Sequence, residues 1–353
     1  MQDLKYENFK MVKNEIYDLN KIFYSINCNK YKDILSIGFF YYFIILELEA
    51  LNYIERNTNL KIKEKLNYKK KLENCRARIK PLEGNSQSIY NSYEKMNISE
   101  MKRYTKDIDM ERIGIFKELI TNLGIYKENG QVILNTFEAN KIYKEIIFTN
   151  GNYDTNKVYE ASKEIGQILS YLNILFGINK NIRKEMFYYE ILGEDYDVLR
   201  KNTYLFNNKI DRSIALMLLD ELCSINFYRN IIRKFHLRDS TKYRMAYITF
   251  NKTYNNIKKC IQINKDLQLN VLMYEIEDIL SKYSYLNERN FRNCIFHYDL
   301  KNNLENEEVK EELYFGIINK YLKIPEQQFK KNLIDYFTNI SRSLTNLIMK
   351  NRE

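Results

Sequence analysis

The spacing of apolar residues along this chain predicts an almost entirely helical protein. In the segment 326–349, polar residues fill one face, and apolar side chains recur on the other at steps of three and four residues: Phe329, Leu333, Phe337, Ile340, Leu344 and Leu347. Pro325 stands where the first turn of a helix tolerates proline. Further helices are predicted at 33–55, 156–176, 209–235, 241–264, 269–284, 287–299 and 306–322. Successive helices of this kind pack as a bundle.

Glycine, proline and asparagine interrupt the helical pattern at 81–88, 127–131 and 150–156. The last interruption is the most loop-like, and it predicts a domain boundary between 1–152 and 153–353. Near the second, Glu-Asn-Gly stands between Tyr126 and a Val-Ile-Leu run, which favours one short β-hairpin within 125–135. The predicted fold class is all-α, with a C-terminal helical bundle and a mostly helical N-terminal domain.

The composition supports a folded, helical chain in a reducing compartment. Of the 353 residues, 45% are apolar, which is enough to form a core. The 2 prolines and 10 glycines are too few for the many turns of a β-sandwich or barrel. The most apolar run, 34–46, meets Glu47 and Glu49 before it is long enough to span a bilayer, which predicts a buried helix. The start of the chain lacks the apolar core of a signal peptide. We therefore expect a cytoplasmic protein without a membrane segment.

Five cysteines are scattered along the chain and never form a C-x-x-C pair, so neither a disulfide framework nor a zinc site is predicted. The sequence also has no phosphate-binding glycine loop, no dinucleotide fingerprint and no nucleophile elbow. We therefore expect neither a metal nor a cofactor.

The chain carries 56 Lys and Arg against 46 Asp and Glu, a net charge of +10 that favours polyanionic partners such as RNA. A lysine- and asparagine-rich composition also follows from an AT-rich genome, so the charge has two explanations. The strongest basic stretch, 61–80, suits a helix that follows phosphates, or else a solvated helix face. Its candidate RNA-binding residues are Lys69, Lys70, Lys71, Arg76 and Arg78.

The segment 287–299 has no glycine, proline or β-branched run, so a helix is predicted there. On that helix, four polar residues share an arc of about 140°, at 100° per residue. They are Arg289, Arg292, Asn293 and His297. The opposite face is apolar. One of only two histidines in the chain thus lies beside arginine and asparagine, whereas a solvated helix face more often carries lysine and glutamate.

These residue types suit RNA cleavage, because RNA supplies its own nucleophile, the 2′-hydroxyl. His297 would move protons near neutral pH, and Arg292 would hold the charge that develops on the scissile phosphate. Asn293, one turn before His297, would orient the imidazole or contact a ribose. In the alternative interpretation, His297 is a structural histidine and Arg292 an ordinary surface cation.

The residues Arg292, Asn293 and His297 match an R-x4-6-H signature with asparagine after the arginine, so the segment resembles the HEPN superfamily of ribonucleases. The resemblance covers the motif and its helical setting within 153–353. It implies metal-independent cleavage that leaves a 2′,3′-cyclic phosphate and a 5′-hydroxyl, and a composite site that two motifs form across a homodimer interface. It also implies a supporting carboxylate on the preceding helix, for which the candidates are Glu275, Glu277 and Asp278.

Members of this superfamily include abortive-infection toxins, toxin–antitoxin toxins, type VI CRISPR effectors and CRISPR ancillary ribonucleases. By analogy, we expect a toxin or anti-phage effector that cuts tRNA, mRNA or other unpaired RNA. An active ribonuclease would harm its host, so an antitoxin, inhibitor or activating ligand is an expected partner. The rival interpretation is a non-catalytic helical regulator or inhibitor that binds nucleic acid or protein.

A second match, R-x6-H, is formed by Arg229 and His236, which a helix over 209–235 would place on one face. It lies 63 residues before Arg292, too close for a second complete domain of this kind. Both residues are candidates for RNA binding. The alternative is that His236 and Arg238 are cations at a helix C-terminus, where the helix dipole favours positive charge.

Overall fold

The computed structural model describes residues 2–58, 84–94, 122–136, 148–149, 152–153, 155–178, 182, 184–197, 205–207, 210–298 and 313–349. The protein is mostly α-helical, as predicted. Its labelled helices are α1 Gln2–Asn27, α2 Lys32–Asn57, α3 Thr155–Phe176, α4 Arg212–Asn230, α5 Asp239–Asp266, α6 Tyr274–Lys282, α7 Arg289–His297, α8 Leu313–Leu322 and α9 Glu326–Ile348. Residues 86–94 are also helical.

Three helices are shorter than predicted, and α7 loses two residues at each end of the predicted 287–299. Helix α4 ends at Asn230 and is followed by a 3-10 turn, Ile232–Lys234, so the predicted helix over 209–235 is interrupted. Helix α6 starts at Tyr274 instead of 269, because Gln268 and Asn270 adopt left-handed backbone conformations, with φ of 52° and 59°. Of the predicted helix 306–322, the part before Leu313 lies outside the described residues.

The predicted hairpin is present. Strands β1 Asn122–Glu128 and β2 Gln131–Asn135 pair antiparallel. Asn129 and Gly130 connect them with φ of 50° and 73°, the conformation that a two-residue Asn-Gly hairpin turn requires.

The hairpin belongs to a three-stranded sheet in the order β2-β1-β5, because β5 Ile191–Asp197 pairs antiparallel with β1. This third strand was not predicted. At the predicted 150–156 break, two-residue strands β3 Phe148–Thr149 and β4 Asn152–Tyr153 form a second antiparallel pair.

Both halves of the chain contribute to one continuous hydrophobic core among the described residues. Helix α4 packs against α5, α9 and β2, and it also meets α2, where the ring of Phe39 lies 5.1 Å from that of Phe227. Gly38 permits this approach, because a Cβ atom there would overlap the Phe227 ring. The predicted division at 152/153 falls within β4, and the core of the described residues includes side chains from both sides of it.

Helix α2 is long and apolar enough to cross a membrane, but 78% of its most apolar 18-residue window is buried inside the protein. The run 34–46 is therefore part of a buried helix, as predicted. The same helix buries Glu47, whose carboxylate has no hydrogen-bond partner in the part of the chain that the structure describes. Burial raises the pKa of Glu47 well above its usual value, because the charged form loses its hydration.

Glu47 makes the stability of the protein depend on pH. The unfolded chain releases this proton near pH 4.5, whereas the folded chain retains it, so folded stability falls as pH rises through the interval between the two pKa values. We expect Glu47→Gln to remove this loss, so that its stability relative to wild type rises by about 1.4 kcal/mol per pH unit in that interval. Thermal unfolding at a series of pH values measures it.

The exposed Glu275→Gln variant is the matched control, because it makes the same substitution outside the core and should not reproduce the gain expected of Glu47→Gln. If the stabilities of Glu47→Gln and of the wild type differ by the same amount at every pH from 4 to 8, Glu47 does not have the raised pKa.

Candidate functional site

Helix α7 carries the motif, and local signals determine its ends. The carboxylate of Glu288 accepts a hydrogen bond from the backbone N–H of Phe291, which caps the start of the helix. Tyr298 ends it in a left-handed conformation, with φ of 47°. Phe291, Cys294 and Ile295 are buried, so the predicted apolar face is confirmed.

The opposite face of α7 reaches the surface. Arg289 and Asn293 are exposed, while Arg292 and His297 are half-buried. Within the described chain, the Arg292 guanidinium forms no ion pair. It lies near the phenol of Tyr247, where burial raises the pKa of the phenol and the charge of Arg292 opposes that shift. Arg292 is thus available to an anionic ligand.

His297 is held by a carboxylate from the N-terminal half of the chain. Its Nδ1 atom lies 3.2 Å from Oε2 of Glu49, on α2. The side chain of Glu49 is 1% exposed, whereas that of His297 is 44% exposed. A carboxylate at Nδ1 orients the ring and favours the tautomer with a proton on Nδ1, which leaves Nε2 as the proton acceptor. This geometry is suited to proton transfer at Nε2.

The last three carbonyl groups of α7 and that of Tyr298, which follows it, accept hydrogen bonds from side chains of other helices. Arg244, on α5, donates from Nε to the carbonyl of residue 295 at 2.8 Å and from Nη2 to that of residue 296 at 3.4 Å. Arg56 donates to the carbonyl of His297 at 2.5 Å, and Asn8 donates to that of Tyr298 at 3.1 Å. These contacts satisfy groups that a helix end leaves unpaired, and the two arginines complement its dipole.

Arg244 is itself fully buried, and a carboxylate balances its charge. Its Nη1 forms an ion pair with Glu15, which also accepts a hydrogen bond from the hydroxyl of Tyr298. The guanidinium lies 3.8 Å from the centre of the Tyr298 ring. Burial raises the pKa of Glu15, although Arg244 and Tyr298 act in the opposite direction. This network joins α1 and α5 to the end of the motif helix.

Among the described residues, none of the three supporting carboxylates predicted on α6 contacts His297. Glu277 pairs with Lys265 at 3.0 Å, and Glu275 and Asp278 are exposed. Within the described residues, the carboxylate that contacts His297 is Glu49, which corrects that expectation. The sequence contained one signal for Glu49, because a carboxylate inside an apolar helix requires a partner or a proton.

Arg229 and His236 do not share a helix face, because α4 ends between them at Asn230. His236 is 85% exposed, and its Nδ1 atom lies 3.2 Å from Glu185. Arg238 does not end a helix either, since it directly precedes α5 and pairs with Asp18 at 2.8 Å. The basic candidates from 61–80 lie outside the described residues; they are Lys69, Lys70, Lys71, Arg76 and Arg78.

In the part of the chain that the structure describes, no group of three His, Cys, Asp or Glu residues is arranged to hold a metal ion. In comparisons with known proteins, no family model, no curated protein and no solved structure matches this chain. The resemblance to the HEPN superfamily therefore rests on the motif residues and their helical setting alone.

The contacts of Arg244 predict a large and specific loss of stability on substitution. Arg244→Met leaves the buried carboxylate of Glu15 without its cation, and we expect the free energy of unfolding to fall by about 3–5 kcal/mol. Denaturant unfolding measures this loss. Lys265→Met, which breaks the exposed pair with Glu277, is the control and should change stability by about 0.5 kcal/mol or less. Equal effects of the two substitutions would contradict the structural role of Arg244.

Proposed function

We propose that this protein is an endoribonuclease of the HEPN type, in which Arg292, Asn293 and His297 act on RNA. The observation that supports this function best is the half-exposed imidazole of His297, which contacts a buried carboxylate through Nδ1. It shares a helix face with Arg292, which forms no ion pair with any described residue. A histidine held in this way has the geometry of a general acid or base. A purely structural histidine would be expected to use both ring nitrogens in internal contacts.

In the proposed reaction, the imidazole of one His297 removes the proton from a ribose 2′-hydroxyl. The 2′-oxygen then forms a bond to the adjacent phosphorus, and the bond from phosphorus to the 5′-oxygen breaks. A second imidazole donates a proton to the leaving 5′-oxygen, so the products are a 2′,3′-cyclic phosphate and a 5′-hydroxyl. Arg292 stabilises the charge on the phosphate, and Asn293 contacts the ribose or the imidazole.

The need for a second imidazole supports a homodimer. A single imidazole could accept the proton of the 2′-hydroxyl and then donate it to the leaving 5′-oxygen. However, the two oxygens lie on opposite sides of the phosphorus, so a separate base and acid reach them more easily. Arg289 and Asn293 are exposed on the same arc, so this face of α7 is accessible to a second copy of the chain. A two-fold axis beside α7 would bring two sets of motif residues together.

Such an enzyme requires control in its host. We propose a cytoplasmic toxin or anti-phage effector that cuts tRNA, mRNA or other unpaired RNA and that is held inactive by an antitoxin or inhibitor or switched on by a ligand. The net charge of +10 favours binding to RNA. The alternative function is a non-catalytic regulator that binds nucleic acid or protein through the same basic surfaces.

Substitution of His297 tests the activity. Purified protein is incubated with end-labelled RNA in EDTA, and we expect cleavage with cyclic phosphate ends. In His297→Ala the rate should fall at least about 100-fold, because a general acid–base group contributes that much or more. His236→Ala is the matched control, since His236 also contacts a glutamate but lies outside the motif helix, and it should cleave at the wild-type rate.

Cleavage lost in His236→Ala and retained in His297→Ala would assign the activity to the other histidine. RNA binding without cleavage by any variant would favour the regulator.

The composite site is tested in the same assay by diluting the protein, while sedimentation measures its oligomeric state. Full activity per chain in a protein that sediments as a monomer would rule out a site shared between two copies.

Glu49 is proposed as a positioning residue for His297. Glu49→Gln retains a group that accepts a hydrogen bond but loses the negative charge beside the ring, so we expect its maximal rate to fall with little change in KM. Glu49→Ala also loses the orientation, and we expect its maximal rate to fall by about 10- to 100-fold, within the range for residues that orient a ligand or catalytic group.

The matched control is Glu47→Gln, which changes a buried carboxylate two residues away on the same helix. Its maximal rate should match that of the wild type. If Glu49→Gln and Glu49→Ala also keep the wild-type rate, the 3.2 Å contact has no part in catalysis.

A further inference from the structure

A polar cleft lies on another part of the protein, away from the motif helix. It has a volume of about 470 Å³ and opens between the β1–β2 hairpin and the C-terminal halves of α4 and α9. This volume is in the range of sites that take small ligands. Most of its polar lining is basic or neutral: Arg229, Arg342, Gln131, Asn226, Ser341 and Thr345. Among the described residues that line it, none is an aspartate or a glutamate.

Two arginines supply uncompensated positive charge to the cleft. Arg229 is half-buried, and burial together with the neighbouring Arg233 lowers the pKa of Arg229. Arg342 is exposed on α9. Neither guanidinium forms an ion pair within the described chain. The third cation, Lys127, already pairs with Glu194 at 2.6 Å. A half-buried arginine without a carboxylate partner is costly unless a ligand supplies the negative charge.

The neutral groups of the cleft are held in place by hydrogen bonds. Asn226 donates to the carbonyl of Val132 at 3.0 Å and accepts from the hydroxyl of Ser341 at 2.7 Å. The side-chain oxygen of Gln131 accepts from Asn230 at 3.0 Å, which leaves the amide protons of Gln131 for a ligand. The cleft therefore combines the guanidinium groups of Arg229 and Arg342 with amide and hydroxyl groups that hydrogen bonds hold in place.

We propose that this cleft binds the phosphate of a nucleotide, with Arg229 and Arg342 as its anion-binding residues. Guanidinium groups donate paired hydrogen bonds to phosphate oxygens, and a phosphate carries enough negative charge for two arginines. The amide and hydroxyl groups then suit the sugar and the base, which offer donors and acceptors at their edges. The nucleotide is either a free small molecule or one unit of an RNA strand.

The cleft is separate from the polar face of α7. Phe329, on α9, contacts Phe291 of the motif helix, with ring centres 5.5 Å apart. Arg342 follows 13 residues later on the same helix, which corresponds to about 20 Å along its axis at 1.5 Å per residue. Binding in the cleft therefore does not depend on the ribonuclease activity proposed for His297.

Calorimetric titration of the full chain tests the proposal. The probes are AMP, ATP and a short 2′-O-methyl oligoribonucleotide, which has no free 2′-hydroxyl and so cannot be cut by the proposed reaction. We expect at least one probe to bind, and Arg229→Met and Arg342→Met each to weaken its affinity by about 10-fold or more, since a hydrogen bond to a charged group contributes about 1.5–3 kcal/mol. Circular dichroism confirms that each variant is folded.

Arg212→Met is the matched control, because Arg212 begins the same helix as Arg229 but lies about 26 Å away along its axis. Its affinity should equal that of the wild type. Binding of AMP or ATP identifies a free nucleotide as the ligand, whereas binding of the oligonucleotide alone identifies an RNA strand. Binding by no probe, or an equal loss in Arg212→Met, overturns the proposal and leaves the ribonuclease hypothesis untouched, since no probe is cleaved.

Discussion

The position of the motif helix depends on one buried charge. Arg244 has no exposed side-chain surface, so its guanidinium must find all of its hydrogen-bond acceptors inside the protein. It finds them in Glu15, 229 residues away, and in the last carbonyl groups of α7. A carboxylate or an arginine left alone at this depth would be strongly unfavourable. Arg244 therefore holds α1, α5 and α7 together, and moving any one of these helices away would leave a buried charge without its partner.

Helix α2 completes this arrangement from the other side. Glu49 and Arg56 are seven residues apart, so they lie on nearly the same face of the helix. Glu49 contacts the ring of His297, and Arg56 binds the carbonyl of the same residue. The side chain and the backbone of His297 are thus both held by α2. The N-terminal helices are consequently part of the candidate site, although the motif itself is in the C-terminal half.

Local sequence signals predicted the hairpin and most of the helices, but not helix α1 or the contacts between distant elements. The Asn129-Gly130 turn and the apolar spacing of α9 depend on neighbours in sequence, and both were predicted correctly. Strand β5 was missed because its acidic sequence has no alternating pattern, and its pairing with β1 depends on the fold. The partner of His297 was missed for the same reason, since Glu49 is 248 residues away. The helical periodicity showed which face of α7 is polar, but it did not show which residues of other helices contact that face.

The two fully buried carboxylates of α2 show how one helix can give identical groups different properties. Glu47 and Glu49 are two residues apart, and about 200° of helical rotation directs them to different neighbours. Glu47 has no hydrogen-bond partner among the described residues, so its environment favours the neutral acid. Glu49 contacts an imidazole, and little water competes for that contact because the carboxylate is 1% exposed. Burial of α2 therefore does more than build the core, because it also places a carboxylate against the ring of His297.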